Sequence, residues 1–228
     1  MHVLGTFQFP PHHTLRGARR VCKLLASRQG LVVLGLLGMT LGMLGCDGGS
    51  VGGSGQCGGS NDSDACVRIV TVEPTYLDQT TSNVDVVQVT CPNNTPEPFT
   101  DHAATVTLSN SPLPGVGPSA DTSVTLRDFS VRYSLNACPP GATCPALDTL
   151  TVAPGQTVTI PPNSSATVTL PLVSLAKKFE YVSNAGSLSA YPSYTATYTI
   201  TGTDSFHNSV SAQGSAQFTI GAFDNCTR

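Results

Sequence analysis

The chain has no tryptophan, and only 11% of its 228 residues are charged, less than half the roughly 25% of an ordinary soluble domain. So little charge excludes a coiled coil, which needs many Glu and Lys, and a disordered polyelectrolyte, which needs more charge still. The formal net charge of -3 excludes a basic nucleic-acid binder, whose affinity rests on neutralising phosphates. Several signatures of chemistry are missing too: there is no Walker loop, dinucleotide fingerprint, zincin helix or EF-hand loop. No C-x-x-C pair points to a metal or redox centre, and no C-x-x-C-H to haem. What replaces charge is hydroxyl: the chain carries 28 Thr and 23 Ser.

The charge that exists is unevenly placed. Residues 1–45 hold Arg16, Arg19, Arg20, Lys23 and Arg28 and no acid, whereas residues 46–228 hold all fourteen acids and net -8. After the basic stretch, residues 30–45 (GLVVLGLLGMTLGMLG) run without a charge. As a helix they would span ~24 Å, short of the roughly 30 Å hydrocarbon core of a bilayer. A basic segment, a short apolar run and small residues at its end read as an export signal rather than a membrane span. The run closes on Met43-Leu44-Gly45-Cys46, which resembles the lipobox of bacterial lipoproteins. The resemblance implies that residues 1–45 are removed, that Cys46 is lipidated and becomes the mature N-terminus, and that the protein is anchored to a bacterial membrane in the cell envelope.

Residues 46–65 follow as a tether. The stretch 47–64, DGGSVGGSGQCGGSNDSD, cannot bury a core and behaves as flexible chain, with a root-mean-square reach of ~25 Å. Gly48-Gly49-Ser50-Val51-Gly52 matches G-x-S-x-G in letters. A nucleophile elbow needs a strand before it and a helix after it, and this composition builds neither.

With Cys22 in the signal and Cys46 assigned to the lipid, six cysteines remain: Cys57, Cys66, Cys91, Cys138, Cys144 and Cys226. An even number in an exported chain reads as a disulfide framework with fifteen possible connectivities. Cys138 and Cys144 bracket a short loop containing Pro139-Pro140-Gly141, whose ends meet easily. Cys57 and Cys66 bracket a Gly/Asn/Asp segment in the same way, which leaves Cys91 with Cys226 as a long-range closure of the C-terminus.

From residue 66 to 228 the dominant signal is alternation. Ala104, Val106 and Leu108 face one way and Thr105 and Thr107 the other; Val158 and Ile160 alternate with Thr157 and Thr159. The same period recurs in Ala166-Val168-Leu170, in Tyr194-Ala196-Tyr198-Ile200 and from Val210 to Ile220. Each such run predicts a half-buried strand. Branched threonines suit the solvent side of a pleated surface, which explains how a folded domain manages with so little charge. Parity breaks near Arg127-Asp128, where a bulge is expected, and between Val86 and Val87. With a first strand at Val67 to Val72, about eight strands result, separated by Gly/Pro/Asn turns, and residues 175–181 offer one or two helical turns.

This pattern predicts an all-β, antiparallel sandwich with long loops in one domain. The segment from Tyr194 to Val210, with its Tyr-x-x-x-Tyr strand and Asp204 before a turn, and Phe218-Thr219-Ile220 after it, resembles the last hairpin of bacterial immunoglobulin-like and fibronectin-III-like domains. The Pro154-Gly155 turn between residues 150 and 160, and the strand at residues 165–170, look like middle elements of the same class. The resemblance implies an immunoglobulin-like sandwich.

Candidates for chemistry are few. His102 and His207 lie where loops are expected, with no nucleophile or orienting group supplied locally, so both are expected to be exposed loop residues. Asp62, Asp64, Glu73, Asp78, Asp85 and Asp101 offer oxygen ligands but no calcium-loop spacing. Tyr194 and Tyr198 share parity with Ala196 and Ile200, and are expected in the core rather than on an aromatic platform with Tyr191. The expectation is therefore a membrane-anchored, non-catalytic lipoprotein without catalytic, metal or cofactor residues. Its sandwich would serve a structural, adhesive or assembly role with a protein partner in the envelope. The alternative is a ligand-binding module, for instance for glycans, reading its target through residues 92–102, 111–122 and 136–148.

Overall fold

The structure is a computed structural model that describes residues 63–113, 122–152 and 157–226. The expected signal, Cys46, Cys57 and the tether up to residue 62 lie outside the described residues.

Among the described residues, ten strands and one helix follow in chain order: β1 (Ala65–Tyr76), β2 (Gln79–Thr80), β3 (Asn83–Asp85), β4 (His102–Pro112), β5 (Val124–Ala137), β6 (Leu150–Thr151), β7 (Val158–Ile160), β8 (Ser164–Val173), α1 (Leu175–Asn184), β9 (Ser193–Asp204) and β10 (Ser209–Gly221). They form two sheets, one ordered β2-β1-β4-β8 and the other β3-β10-β9-β5-β6, with β7 also paired to β5. The fold is all-β apart from the helix. Alternation does what its period requires: Ala104, Val106 and Leu108 of β4 are buried, as are Tyr194, Ala196, Tyr198 and Ile200 of β9 and Ala212, Ala216, Phe218 and Ile220 of β10. One apolar core joins residues of both sheets.

The sheets come close where β10 has no side chain. A Cβ on Gly214 would sit 2.5 Å from Ile69 Cγ2 of β1, so glycine there sets the local spacing. Two buried phenols tie the layers by hydrogen bonds as well as by area: Tyr133 donates to the Leu172 carbonyl at 2.6 Å and Tyr198 to that of Pro171 at 3.1 Å. Tyrosine can span an apolar core only when its hydroxyl finds such a partner.

The break of parity at Arg127 is a bulge. The register of β5 against β9 shifts between Leu126 and Asp128, leaving Arg127 as the extra residue. Beside it, at Gly202, which pairs with Leu126, a Cβ would lie 2.1 Å from the Thr125 carbonyl oxygen, so only glycine allows the strands this close.

Several expectations need correcting. There are ten named strands rather than about eight, because β2 and β6 are two-residue pairings too short to show a period. The sheets are not wholly antiparallel: β3 runs parallel to β10, with Asn83, Val84 and Asp85 beside Thr219, Ile220 and Gly221. The segment from Val84 to Val89 is not a strand with shifted parity. Val84, Asp85 and Val86 are all buried, because the Asp85 carboxylate turns inward and accepts the Val87 N–H at 3.2 Å, drawing the chain off the sheet.

The helix is longer than one or two turns. The Ser174 side chain caps it by accepting the Lys177 N–H at 3.3 Å, and Asp101 accepts the Leu175 N–H at 2.6 Å. These satisfy amides that have no partner within the helix. Lys177 and Glu180 pair at 2.8 Å along its surface.

Candidate functional site

The two ends of the sheets differ in kind. At one end, here called proximal, the described chain enters at Ser63 and the β9–β10 turn closes. At the other, distal end lie α1, the segment between β3 and β4, and the C-terminal tail.

The distal end holds most of the buried charge. Asp85, Glu97, His102 and Lys178 are all essentially inaccessible, as is Asn225. Asp85 Oδ1 accepts the Phe223 N–H at 2.9 Å as well as that of Val87. Glu97 bridges two segments: Oε1 accepts the Val89 N–H at 3.1 Å and Oε2 the Asn225 N–H at 3.0 Å. The remaining oxygen of Asp85, Oδ2, meets no donor. Its neighbour is the carboxyl of Glu97, also an acceptor, so the two can be satisfied together only with a proton between them. Burial pushes Asp85 up to about 6, with Glu97 adding to the rise and the Phe223 and Val87 amides opposing it.

Lys178 enters from α1 and is 0% exposed. Its ammonium donates to the Thr100 carbonyl at 2.6 Å and lies 4.4 Å from the centre of the Phe99 ring and 5.4 Å from that of Tyr76. Burial lowers it to about 8, while the negative charges of Asp85, Asp101 and Glu97 pull the other way. The helix thus turns a lysine inward and leaves the next residue, Phe179, 62% exposed.

His102 overturns the expectation of an exposed loop residue. It begins β4, is fully buried, and stacks on Tyr76 with ring centres 4.1 Å apart. Its Nε2 is 3.0 Å from the Asn83 carbonyl, so the imidazole fastens β3 to the four-stranded sheet. A polar residue at a strand start reads as solvent-facing in sequence; here the aromatic face of Tyr76 covers it. His207 is exposed in the β9–β10 turn, with φ of 67°. Tyr194 and Tyr198 are core residues, and Tyr191 lies against Phe223 with ring centres 5.0 Å apart.

The cysteines fasten the same regions. Cys91 and Cys226 are joined, with Cα atoms 5.4 Å apart, and so are Cys138 and Cys144 at 5.9 Å. Cys66 is buried and disulfide-bonded; its expected partner, Cys57, lies outside the described residues. Among the described residues one group has metal-like proximity: Glu97, Asp224 and Cys226 offer ligand atoms within 4.8 Å of one another. The chemistry does not suit a cation. The Cys226 sulfur is in a disulfide, both Glu97 oxygens take backbone amides, and Asp224 accepts the Cys226 N–H.

The three loops considered for ligand reading do not share an end. Residues 92–101 and 138–148 lie at the distal end, whereas Ser111–Leu113 and Thr122 lie at the proximal one, where Leu113 donates to the Asp64 carbonyl at 3.0 Å. No helix among the described residues is long and apolar enough to cross a membrane. No family model matches the chain, and no curated protein or solved structure is similar enough to match it.

Asp85, Glu97 and Lys178 are not legible as a group in the sequence. Only the placing of Glu97 between Pro96 and Pro98, in the segment that Cys91 opens, hinted at a constrained acid.

Proposed function

We propose that this chain is an exported bacterial lipoprotein, anchored through Cys46, whose immunoglobulin-like sandwich is a non-catalytic structural or assembly module held at the membrane surface for a protein partner in the envelope. The observation that carries this reading is what the buried ionisable groups are used for. Asp85 and Glu97 are spent on backbone amides of the 86–101 segment and the C-terminal tail, and Lys178 on the Thr100 carbonyl. These are the bonds of a brace that seals an end, not of groups presented to a substrate. The opposite end receives the tether, which leaves the sealed end and the threonine-covered faces free to meet a partner.

Metabolic labelling with a radioactive fatty acid tests the anchor. The wild-type chain is expected to take up label and to lose residues 1–45. The Cys46→Ser variant is expected to stay unlabelled at precursor size, and globomycin is expected to block cleavage of the wild type. An unlabelled wild type, or one whose processing is untouched by both treatments, overturns the reading.

A further inference from the structure

The most exposed large apolar side chain among the described residues is Phe206, at 69%. It is not on a loose loop. Asp204 Oδ1 accepts the N–H groups of Phe206 and Asn208, both at 2.8 Å, while Oδ2 accepts the Asn208 side-chain amide at 3.0 Å. The His207 N–H adds a bond to the Asp204 carbonyl at 3.0 Å. Burial works against the charge of Asp204, but these donors together with Ser63 hold it below the usual carboxylate range. These bonds hold the turn closed, with the phenyl ring standing out into solvent.

The same carboxylate fixes where the chain arrives: Ser63 Oγ donates to Asp204 Oδ2 at 2.9 Å. The described chain thus begins against the turn that carries Phe206, and Ser63 lies only 17 residues after Cys46. The exposed charges at this end, Arg127 against Asp64 and Asp128, give it no net positive charge, so the apolar ring is what would carry a contact here.

Building on the anchor reading above, we propose that the Phe206–His207 turn is a second membrane contact, with Phe206 inserted at the headgroup boundary of the same bilayer that holds the lipidated Cys46. A lone phenylalanine binds a bilayer weakly. A tether makes that contact intramolecular, so a weak apolar side chain is enough to hold the module in one orientation. The distal end then points away from the membrane.

The absence of tryptophan from the chain makes this directly measurable. Full-length lipidated protein carrying Phe206→Trp, and separately Phe179→Trp at the distal end, is placed in phosphatidylethanolamine/phosphatidylglycerol vesicles containing lipids brominated along the acyl chain. The Phe206→Trp protein is expected to show blue-shifted emission and to lose most of it to the brominated lipid; the Phe179→Trp protein is expected to keep its emission. If both proteins float with the vesicles and the Phe206→Trp emission is unquenched, or both are quenched alike, the proposed contact is wrong while the anchor stands. If neither floats, the anchor reading itself has failed and the contact falls with it.

Discussion

Replacing Cys91 and Cys226 together by alanine lowers the unfolding free energy by about 5 kcal/mol, whereas the same change at Cys138 and Cys144 costs about 2 kcal/mol. The difference comes from the size of the loops that each bridge closes in the unfolded chain. The first joins residues 135 apart and the second residues 6 apart, and the entropy removed grows with the logarithm of that separation. The long bridge also closes over the buried cluster, since Glu97 and Asn225 lie on the two segments that it ties. Urea unfolding of the two double variants under non-reducing conditions measures both costs. Equal losses would mean that the long bridge adds little to contacts already made by Glu97 and Asp85.

Asp85→Asn is expected to stabilise the protein at neutral pH. In the folded chain Asp85 is raised to about 6 from its ordinary 3.8, so the folded state binds this proton more tightly than the unfolded state does. The stability that the proton contributes is fully present below 3.8 and is lost as pH rises through about 6, a loss of about 3 kcal/mol by pH 7. Asparagine keeps an oxygen for the Phe223 and Val87 amides and turns an N–H group toward Glu97, copying the protonated acid without its pH dependence. The variant should therefore melt higher than wild type at pH 7.5, by a margin that shrinks at pH 4.5 and closes below 3.8. Lys178 bends the profile the other way: its folded value of about 8 lies below the ordinary 10.5, so stability rises as pH climbs from 8 towards 10.5. Asp204, held low, contributes stability above its ordinary range and loses it only in stronger acid. Thermal melts of wild type and variant across this range check the signs. A variant destabilised equally at both pH values would show that Asp85 is charged in the fold.

The strands were legible because burial on one face of a sheet imposes a period of two, and Thr and Ser could fill the other face. The bulge at Arg127 was legible for the same reason, as a step in that period. Parity alone places Tyr194 and Tyr198 inward, and the last hairpin is legible from the alternating runs on either side of Asp204. What escaped was the distal end, where polar residues go inside. His102, Asp85 and Glu97 are buried by the rings and the tail that fold over them, from positions far apart in sequence, and no local pattern records such a cover. The inversion in α1, with Lys178 inside and Phe179 outside, runs against the periodicity by which amphipathic helices are read. Parallel pairing of β3 with β10 was hidden because three residues next to a buried aspartate do not make a period.

The most direct test of the account is the intact mass of the protein recovered with detergent from cells that make it. A chain that begins at Cys46, carries a lipid on that cysteine and has no thiol open to alkylation is the predicted result. A chain that begins elsewhere, or one in which Cys46 is unmodified, would contradict it.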